Sequence, residues 1–298
     1  MTRKLVVVGD SHTSTFTPFD ENIAAIFYAG PITADAFCRV QHELTQQVLK
    51  FLSSINPRDV VLIFCMSEID IRTHYWRDIP ILMSRGMALK DFIEHKVSSF
   101  VNQTTSICKQ LGFSDFVLWG APSSQLAGAA YDEQFPATGD TITRNILTHL
   151  FNKCCLAIVE SGHSHFRFST PFYHMVSNGF DTDPTWLTDT IHITNAMKSF
   201  CLGLLGPIVA GNARATAGER IKMLGQADFG LATVPLASSI GDGRSLPYRT
   251  WVSDTHQPQI ACADPKIGGF TLLKDLQRMD ESSKRMELVL RNIHDKNN

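Results

Sequence analysis

The chain has 298 residues, is 44% hydrophobic and 19% charged, and carries a formal net charge of −2. That is an ordinary soluble, globular composition, long enough for one large domain or a domain with an appendage. The near-neutral balance argues against a nucleic-acid or membrane-surface partner, and no apolar run approaches the ~20 residues that span a bilayer.

Strand and helix signals alternate through the first two thirds. Lys4 to Gly9 reads as a strand, with Leu5-Val6-Val7-Val8 running straight into Gly9-Asp10-Ser11. Ile23 to Ala29 reads as a second strand ending at Gly30. From Ala34 to Ile55, Phe37, Val40, Leu44, Val48 and Leu52 keep helical spacing up to Pro57. Asp59 to Met66 holds a continuous apolar run that suits a strand covered on both faces. Ala88 to Leu111 reads as a helix capped by Gly112, and Phe116 to Gly120 as the fourth strand. Thr141 to Glu160 reads as a helix closed by Gly162, and His165 to Pro171 as the fifth strand. A polar loop from Ser177 to Asp189 leads to an apolar helix over Thr194 to Leu205. After Gly206 the composition turns to glycine, alanine and polar residues, with strand-like stretches at Tyr248–Ser253, Gly269–Leu273 and Met286–Ile293.

The alternation predicts an α/β fold with a mostly parallel, five-stranded sheet. A domain over 1–205 and a C-terminal extension over 206–298 are expected, the latter a candidate for a homo-oligomer contact. The seven cysteines are odd in number and scattered. They read as reduced core residues of a cytoplasmic protein, and without a Cys-x-x-Cys pair they give no support to structural zinc. The short apolar stretch after Met1 is too brief for a signal-peptide core.

An apolar strand that stops at a glycine and delivers a serine to the C-terminal edge of an open sheet is a way to present a nucleophile. Serine needs a base, and the best candidate is His192 in Asp189-Thr190-Ile191-His192. On a turn entering a helix, this spacing lets Asp189 hold one ring nitrogen while the other faces Ser11. Asp181 and Asp183 lie close enough in sequence to replace Asp189.

Gly9-Asp10-Ser11 after the first strand, Gly30 after the second and Asp189-x-x-His192 near the end of the unit resemble the SGNH (GDSL-type) hydrolases. The resemblance covers roughly residues 4–205. It implies a flavodoxin-like three-layer α/β/α fold and action on esters, often acetyl or acyl groups of carbohydrates and lipids. It implies Ser11 as nucleophile, His192 as base, Asp189 as its partner, and the Ser11 and Gly30 N–H groups as oxyanion donors, with no cofactor.

One block departs from the pattern. The family's Gly-x-Asn-Asp after the third strand is here Ser67-Glu68-Ile69-Asp70. Ser67 stands at the glycine position and Ile69 at the asparagine position, and isoleucine cannot donate to an oxyanion. The stretch is similar to a bacterial subgroup with Gly-Glu-Ile-Asp-x-Arg, associated with polysaccharide-related gene products. Arg72 or His74 is then expected to supply positive charge, Glu68 to hold one of them or bind substrate, and Asp70 and His12 to line the site beside Asp10. Tyr75 and Trp76 read as packing residues rather than a sugar-stacking wall.

Three other readings stay open. The same triad serves an acyltransferase if a sugar hydroxyl, not water, resolves the acyl-enzyme. A binding module could keep the fold without activity. Asp10-x-His12 with Gly162-His163-Ser164-His165 also resembles the outer motifs of calcineurin-like metallophosphoesterases, although the middle motifs are missing and the expected metal is none. The stretch Arg249 to Thr255 with Arg285 to Leu290 is faintly similar to discoidin-type sugar-binding sandwiches. The expected substrate is a small-molecule or glycan ester.

Overall fold

The computed structural model describes residues 3–17, 21–75, 78, 81, 84–124, 140–177, 180–188, 191–216 and 259–262. The elements are β1 (Lys4–Gly9), β2 (Ile23–Tyr28), α1 (Ala34–Phe37), α2 (Glu43–Ser53), β3 (Val60–Cys65), α3 (Leu89–Gln110), β4 (Phe116–Trp119), α4 (Thr141–Glu160), β5 (Phe166–Ser169), α5 (Phe172–Met175), α6 (Lys198–Val209), β6 (Ala215–Thr216) and β7 (Gln259–Cys262).

The sheet runs β6-β5-β4-β3-β1-β2-β7. The five strands expected from the sequence form its consecutive parallel centre in the doubly wound order 2-1-3-4-5, which makes the fold a flavodoxin-like α/β/α sandwich. Two short strands lie outside that expectation: β6 extends the parallel sheet beside β5, and β7 closes the other side antiparallel to β2. Reading outward from β1, the chain adds β2 on one side and β3 to β5 on the other. The reversal falls between β1 and β3, the switch point at which open α/β sheets of this order have their ligand crevice.

Side-chain alternation divides the core in two. Val6, Val8, Leu62, Phe64, Phe116, Leu118, Phe166 and Phe168 point to the face covered by α1 to α4. Leu5, Val7, Ile26, Ile63, Val117 and Trp119 point to the opposite face, where Phe16, Trp186, Ile193 and the α6 residues Cys201, Leu205 and Ile208 pack. Every residue of β3 is buried, the burial that its unbroken apolar run predicts for a central parallel strand.

Two helices differ from their expected bounds. The helix expected over Ala34–Ile55 is interrupted at residues 38–42, and Val40, though in phase with the apolar stripe, is exposed. Asp70 and Thr33 bind the first free N–H groups of α1 and fix its start, and His42 begins α2 afresh. The helix expected to end at Leu205 continues to Val209 through Pro207, after a 3-10 turn at Asn195–Met197. Tyr75 packs edge-on against Phe92 in the core, as expected. Six described cysteines carry free thiols. The strand-like stretches expected at 248–253, 269–273 and 286–293 lie outside the described residues, as does most of the expected C-terminal extension. No helix of the described residues is long and apolar enough to cross a membrane.

A buried amide ties the loops that follow β4 and β5 to α4. Asn145 accepts the Ser124 N–H at 2.6 Å and donates to the Phe180 carbonyl at 2.7 Å and to Thr182 Oγ1 at 3.0 Å. Phe180 sits at φ 64°, the conformation this anchor holds in place. Asn145→Ala leaves these groups buried without partners and is expected to cost about 3 kcal/mol in urea denaturation.

Candidate active site

The candidate site lies at the C-terminal edge, over the crevice between β1 and β3. Gly9 is where β1 and β3 pinch together: a Cβ there would lie 1.9 Å from the Cys65 carbonyl oxygen. Beyond it the chain turns into a 3-10 helix, Ser11–Phe16, rather than an α-helix. Asp10 caps this turn, its Oδ1 accepting the His12 N–H at 2.9 Å, and Thr13 closes back onto the Asp10 carbonyl. Ser11 is thereby lifted to the surface, half-buried, while Asp10 and His12 are buried to either side.

His192 arrives from the opposite direction on a tight loop. Leu187 and Ile193 form an antiparallel bridge, and the Thr188 N–H donates to the His192 carbonyl at 2.9 Å. The loop therefore holds His192 several residues before α6, not on a turn entering that helix as expected. It brings His192 Nε2 to 2.8 Å from Ser11 Oγ. With the proton on Nδ1, Nε2 offers a lone pair to the serine hydroxyl, the arrangement a general base needs.

Asp189 lies outside the described residues. Of its two alternatives, Asp183 has its carboxylate engaged in capping the turn at Pro184–Trp186, where Oδ1 accepts from Thr185 N–H and Oγ1 at 2.9 and 2.7 Å. Asp181 is exposed.

Gly30 follows β2 on the same edge, at φ +81°, a backbone conformation in which an L side chain is strained. Its carbonyl accepts the Ile32 N–H, closing the turn that leads to α1. Ser11 is the first residue of its helical turn, so its N–H has no acceptor within that turn. Both residues follow adjacent parallel strands at the C-terminal edge of the sheet, Ser11 after β1 and Gly30 after β2.

Beneath Ser11 is a buried ionic cluster. The His12 ring lies against that of His192, centroids 5.1 Å apart. His12 Nε2 is 3.4 Å from Glu68 Oε2, and Glu68 Oε1 accepts from Arg72 Nε at 2.6 Å. Burial alone would raise the Glu68 carboxyl, but Arg72 and His12 hold it well below the usual carboxylate range. Burial pulls His12 down, and the carboxylates of Asp10 and Glu68 more than offset it, so the His12 imidazole is raised above its ordinary value. Asp10 is less well compensated: burial pushes its carboxyl up to about 6 against the pull of His12.

Asp70 and His74 form a second pair, Nδ1 to Oδ1 at 3.5 Å, next to the Gly30 turn. Ile69 is buried and apolar, so the third block presents no side-chain amide. Arg72 and His74, the residues expected to supply positive charge, are each paired with a carboxylate of their own block, Arg72 with Glu68, which was expected to hold one of them.

Two residues of this region escaped the sequence reading, Arg144 and Asn145. Arg144 is buried, donates from Nε to Ser124 Oγ at 2.5 Å and feels both Glu68 and Arg72. Their signal is slight, since polar residues recur along the same helix and Thr148, His149 and Asn152 are buried there as well. The histidines of Gly162–His165 precede β5, at the N-terminal edge of the parallel sheet, and Asp10 and His12 follow β1 at the C-terminal edge. The sheet thus keeps apart the two motifs that a metallophosphoesterase reading would have to join.

No family model matches the chain, and no curated protein matches its sequence. Among solved structures, it is similar to a protein from Streptococcus pneumonia provisionally described as a platelet activating factor, at TM-score 0.47 and 11% identity over 70% of this chain and 85% of that one. It is also similar to phospholipase A1 from Streptomyces albidoflavus NA297, at TM-score 0.36 and 11% identity over 72% of this chain and 100% of that one. Neither likeness is close enough to assign chemistry to this chain.

Proposed function

We propose that this chain is a serine esterase or deacylase of the SGNH type. The observation that carries the proposal is the 2.8 Å contact between His192 Nε2 and Ser11 Oγ at the crevice between β1 and β3. The two residues come from opposite ends of the α/β unit and meet where such sheets bind ligands.

In this reading Ser11 attacks an ester carbonyl while His192 takes its proton. The Ser11 and Gly30 N–H groups stabilise the tetrahedral oxyanion. His192 then protonates the leaving alcohol, and water, activated by the same imidazole, releases the acid from the acyl-enzyme. Asp189, three residues before His192, is the proposed partner of the other ring nitrogen. An acceptor hydroxyl in place of water turns the same steps into acyl transfer. Acetylated or otherwise acylated carbohydrate is the proposed substrate class, on the strength of the motif resemblance.

The test is turnover of p-nitrophenyl acetate with and without chelator, together with labelling by a fluorophosphonate. Wild type is expected to hydrolyse the ester regardless of chelator and to take one label, on Ser11. Ser11→Ala is expected to lose at least roughly 10³-fold in kcat/KM and all labelling. Chelator-sensitive turnover that survives in Ser11→Ala would overturn the proposal in favour of a metal mechanism. A wild type that neither turns over short esters nor takes the label would overturn it in favour of a binding module.

A further inference from the structure

The third block holds two acids and two bases at interleaved i, i+4 spacing, Glu68 with Arg72 and Asp70 with His74, along a turn that is π-helical over Asp70–Tyr75. Both carboxylates are buried, Glu68 at 4% exposure and Asp70 at 0%. A buried carboxylate is costly unless it is paired and hydrogen-bonded, and here each is paired within the block. Each also reaches out of the block, and to a different loop.

Glu68 Oε2 faces His12 Nε2 at 3.4 Å, and the His12 N–H is held by Asp10. His12 adjoins Ser11 in the chain. Asp70 Oδ2 accepts the Ala34 N–H at 2.6 Å, and Oδ1 lies 3.4 Å from the Asp35 nitrogen. Ala34 starts α1 and is joined to Gly30 by a turn closed through the Ile32 N–H. With only four residues, α1 is too short to hold its own position, and Asp70, Thr33 and the 2.6 Å Lys96–Asp35 ion pair hold it instead. One carboxylate thus grips the loop that carries the Ser11 N–H, and the other the loop that carries the Gly30 N–H.

We propose that Glu68 and Asp70 are positioning residues that fix these two backbone donors, so that preorganisation replaces the side-chain donor that Ile69 cannot supply. The inference rests on the reading of Ser11 as a nucleophile. Backbone donors act only at about 2.7–3.1 Å from the position of the developing oxyanion, and a misplacement of about 1 Å costs on the order of 10²-fold in rate. A hole built without a side-chain amide depends wholly on where its two loops are held. Arg72 and His74 aim the carboxylates. Arg72, with His12, holds the Glu68 carboxyl well below the usual range, whereas burial leaves the Asp70 carboxyl raised, so Asp70 acts as a hydrogen-bond acceptor to the Ala34 N–H. The Glu-x-Asp-x-Arg-x-His pattern thus reads as one device.

The experiment measures kcat, KM and fluorophosphonate labelling rate for Asp70→Ala, Asp70→Asn and Glu68→Gln, beside wild type and Ser11→Ala, with melting temperatures for all. Asp70→Ala is expected to lower kcat and the labelling rate together by roughly 10²-fold, with KM within about twofold of wild type. Asp70→Asn keeps one oxygen for the Ala34 N–H and is expected to fall between wild type and Asp70→Ala. Glu68→Gln keeps the acceptor but loses the charge, and is expected to lower kcat about tenfold. If Asp70→Ala does not fold, Asp70→Asn and Glu68→Gln carry the test. Folded variants with wild-type kcat and labelling overturn the inference, as does a raised KM at unchanged kcat, which would mark the carboxylates as substrate-binding. An active Ser11→Ala instead overturns the reading on which the inference rests, whatever the other variants do.

Discussion

Replacing His192 by alanine is expected to lower kcat/KM for a short ester by on the order of 10⁴-fold or more while leaving the fold intact. The serine hydroxyl is a poor nucleophile at neutral pH, and His192 Nε2 is the group placed to take its proton. The loop that carries His192 is held by main-chain contacts, the Leu187–Ile193 bridge and the bond from Thr188 N–H to the His192 carbonyl. None of these needs the imidazole, so the variant should melt close to wild type. Groups that act as a unit are not additive, so Ser11→Ala combined with His192→Ala should be little worse than either alone. Steady-state kinetics on the four proteins checks both points. A His192→Ala variant with more than about a tenth of wild-type kcat would remove the histidine from the mechanism.

Gly9→Ala has the largest effect expected on stability. The added Cβ would lie 1.9 Å from the Cys65 carbonyl oxygen and 2.6 Å from its carbon, both backbone atoms of the neighbouring strand. No rotamer change relieves that clash, and the two strands would have to separate. Separation strains the bond from Asp10 N–H to the Cys65 carbonyl at 2.9 Å, and shifts the Gly9 carbonyl that accepts the Ala29 N–H at 2.8 Å. β1 is the strand from which the sheet grows in both directions, so the loss is not local. A destabilisation above about 4 kcal/mol is expected, enough to leave a marginally stable domain mostly unfolded. Urea denaturation or a thermal melt measures it, and a Gly9→Ala protein melting within a few degrees of wild type would show that the pinch yields. The glycine before Asp10-Ser11 is needed as much for strand packing as for the turn that exposes the hydroxyl.

How legible each part was follows from the range of the interactions behind it. Four of the five central strands were readable because each is covered on both faces and so is written as a largely continuous apolar run, Val60 to Cys65 most plainly, while β5 shows itself by alternation, Phe166 and Phe168 around Arg167. β6 and β7 were not, because two and four residues paired through their backbones leave little side-chain pattern. The break after Phe37 was hidden by an apolar stripe that stays in phase through Val40, a residue the structure leaves exposed; the capping carboxylate of Asp70 is distant in sequence. Ser11 and His192, which the structure brings to 2.8 Å, stand out by residue type and place after a strand or loop, as does Gly30. The attachments of Glu68 and Asp70 do not, since they depend on which loops the strand order sets side by side. Arg72 and His74 were expected to offer positive charge, with Glu68 holding one of them; the Glu68–Arg72 pair is that second arrangement, and the Asp70–His74 pair repeats it two residues on.

The antiparallel pairing of β2 with Gln259–Cys262 has a consequence for how the molecule is made. Ribosomes deliver the five central strands long before residue 259. Until then Ile23–Tyr28, apolar throughout and hydrogen-bonded to β1 on one side, shows its other row of backbone N–H and C=O groups to the surroundings. Such an edge is a template for any extended chain that meets it. The nascent protein therefore carries an open apolar edge after the central strands have been made, and residues 259–262 end that exposure by occupying it.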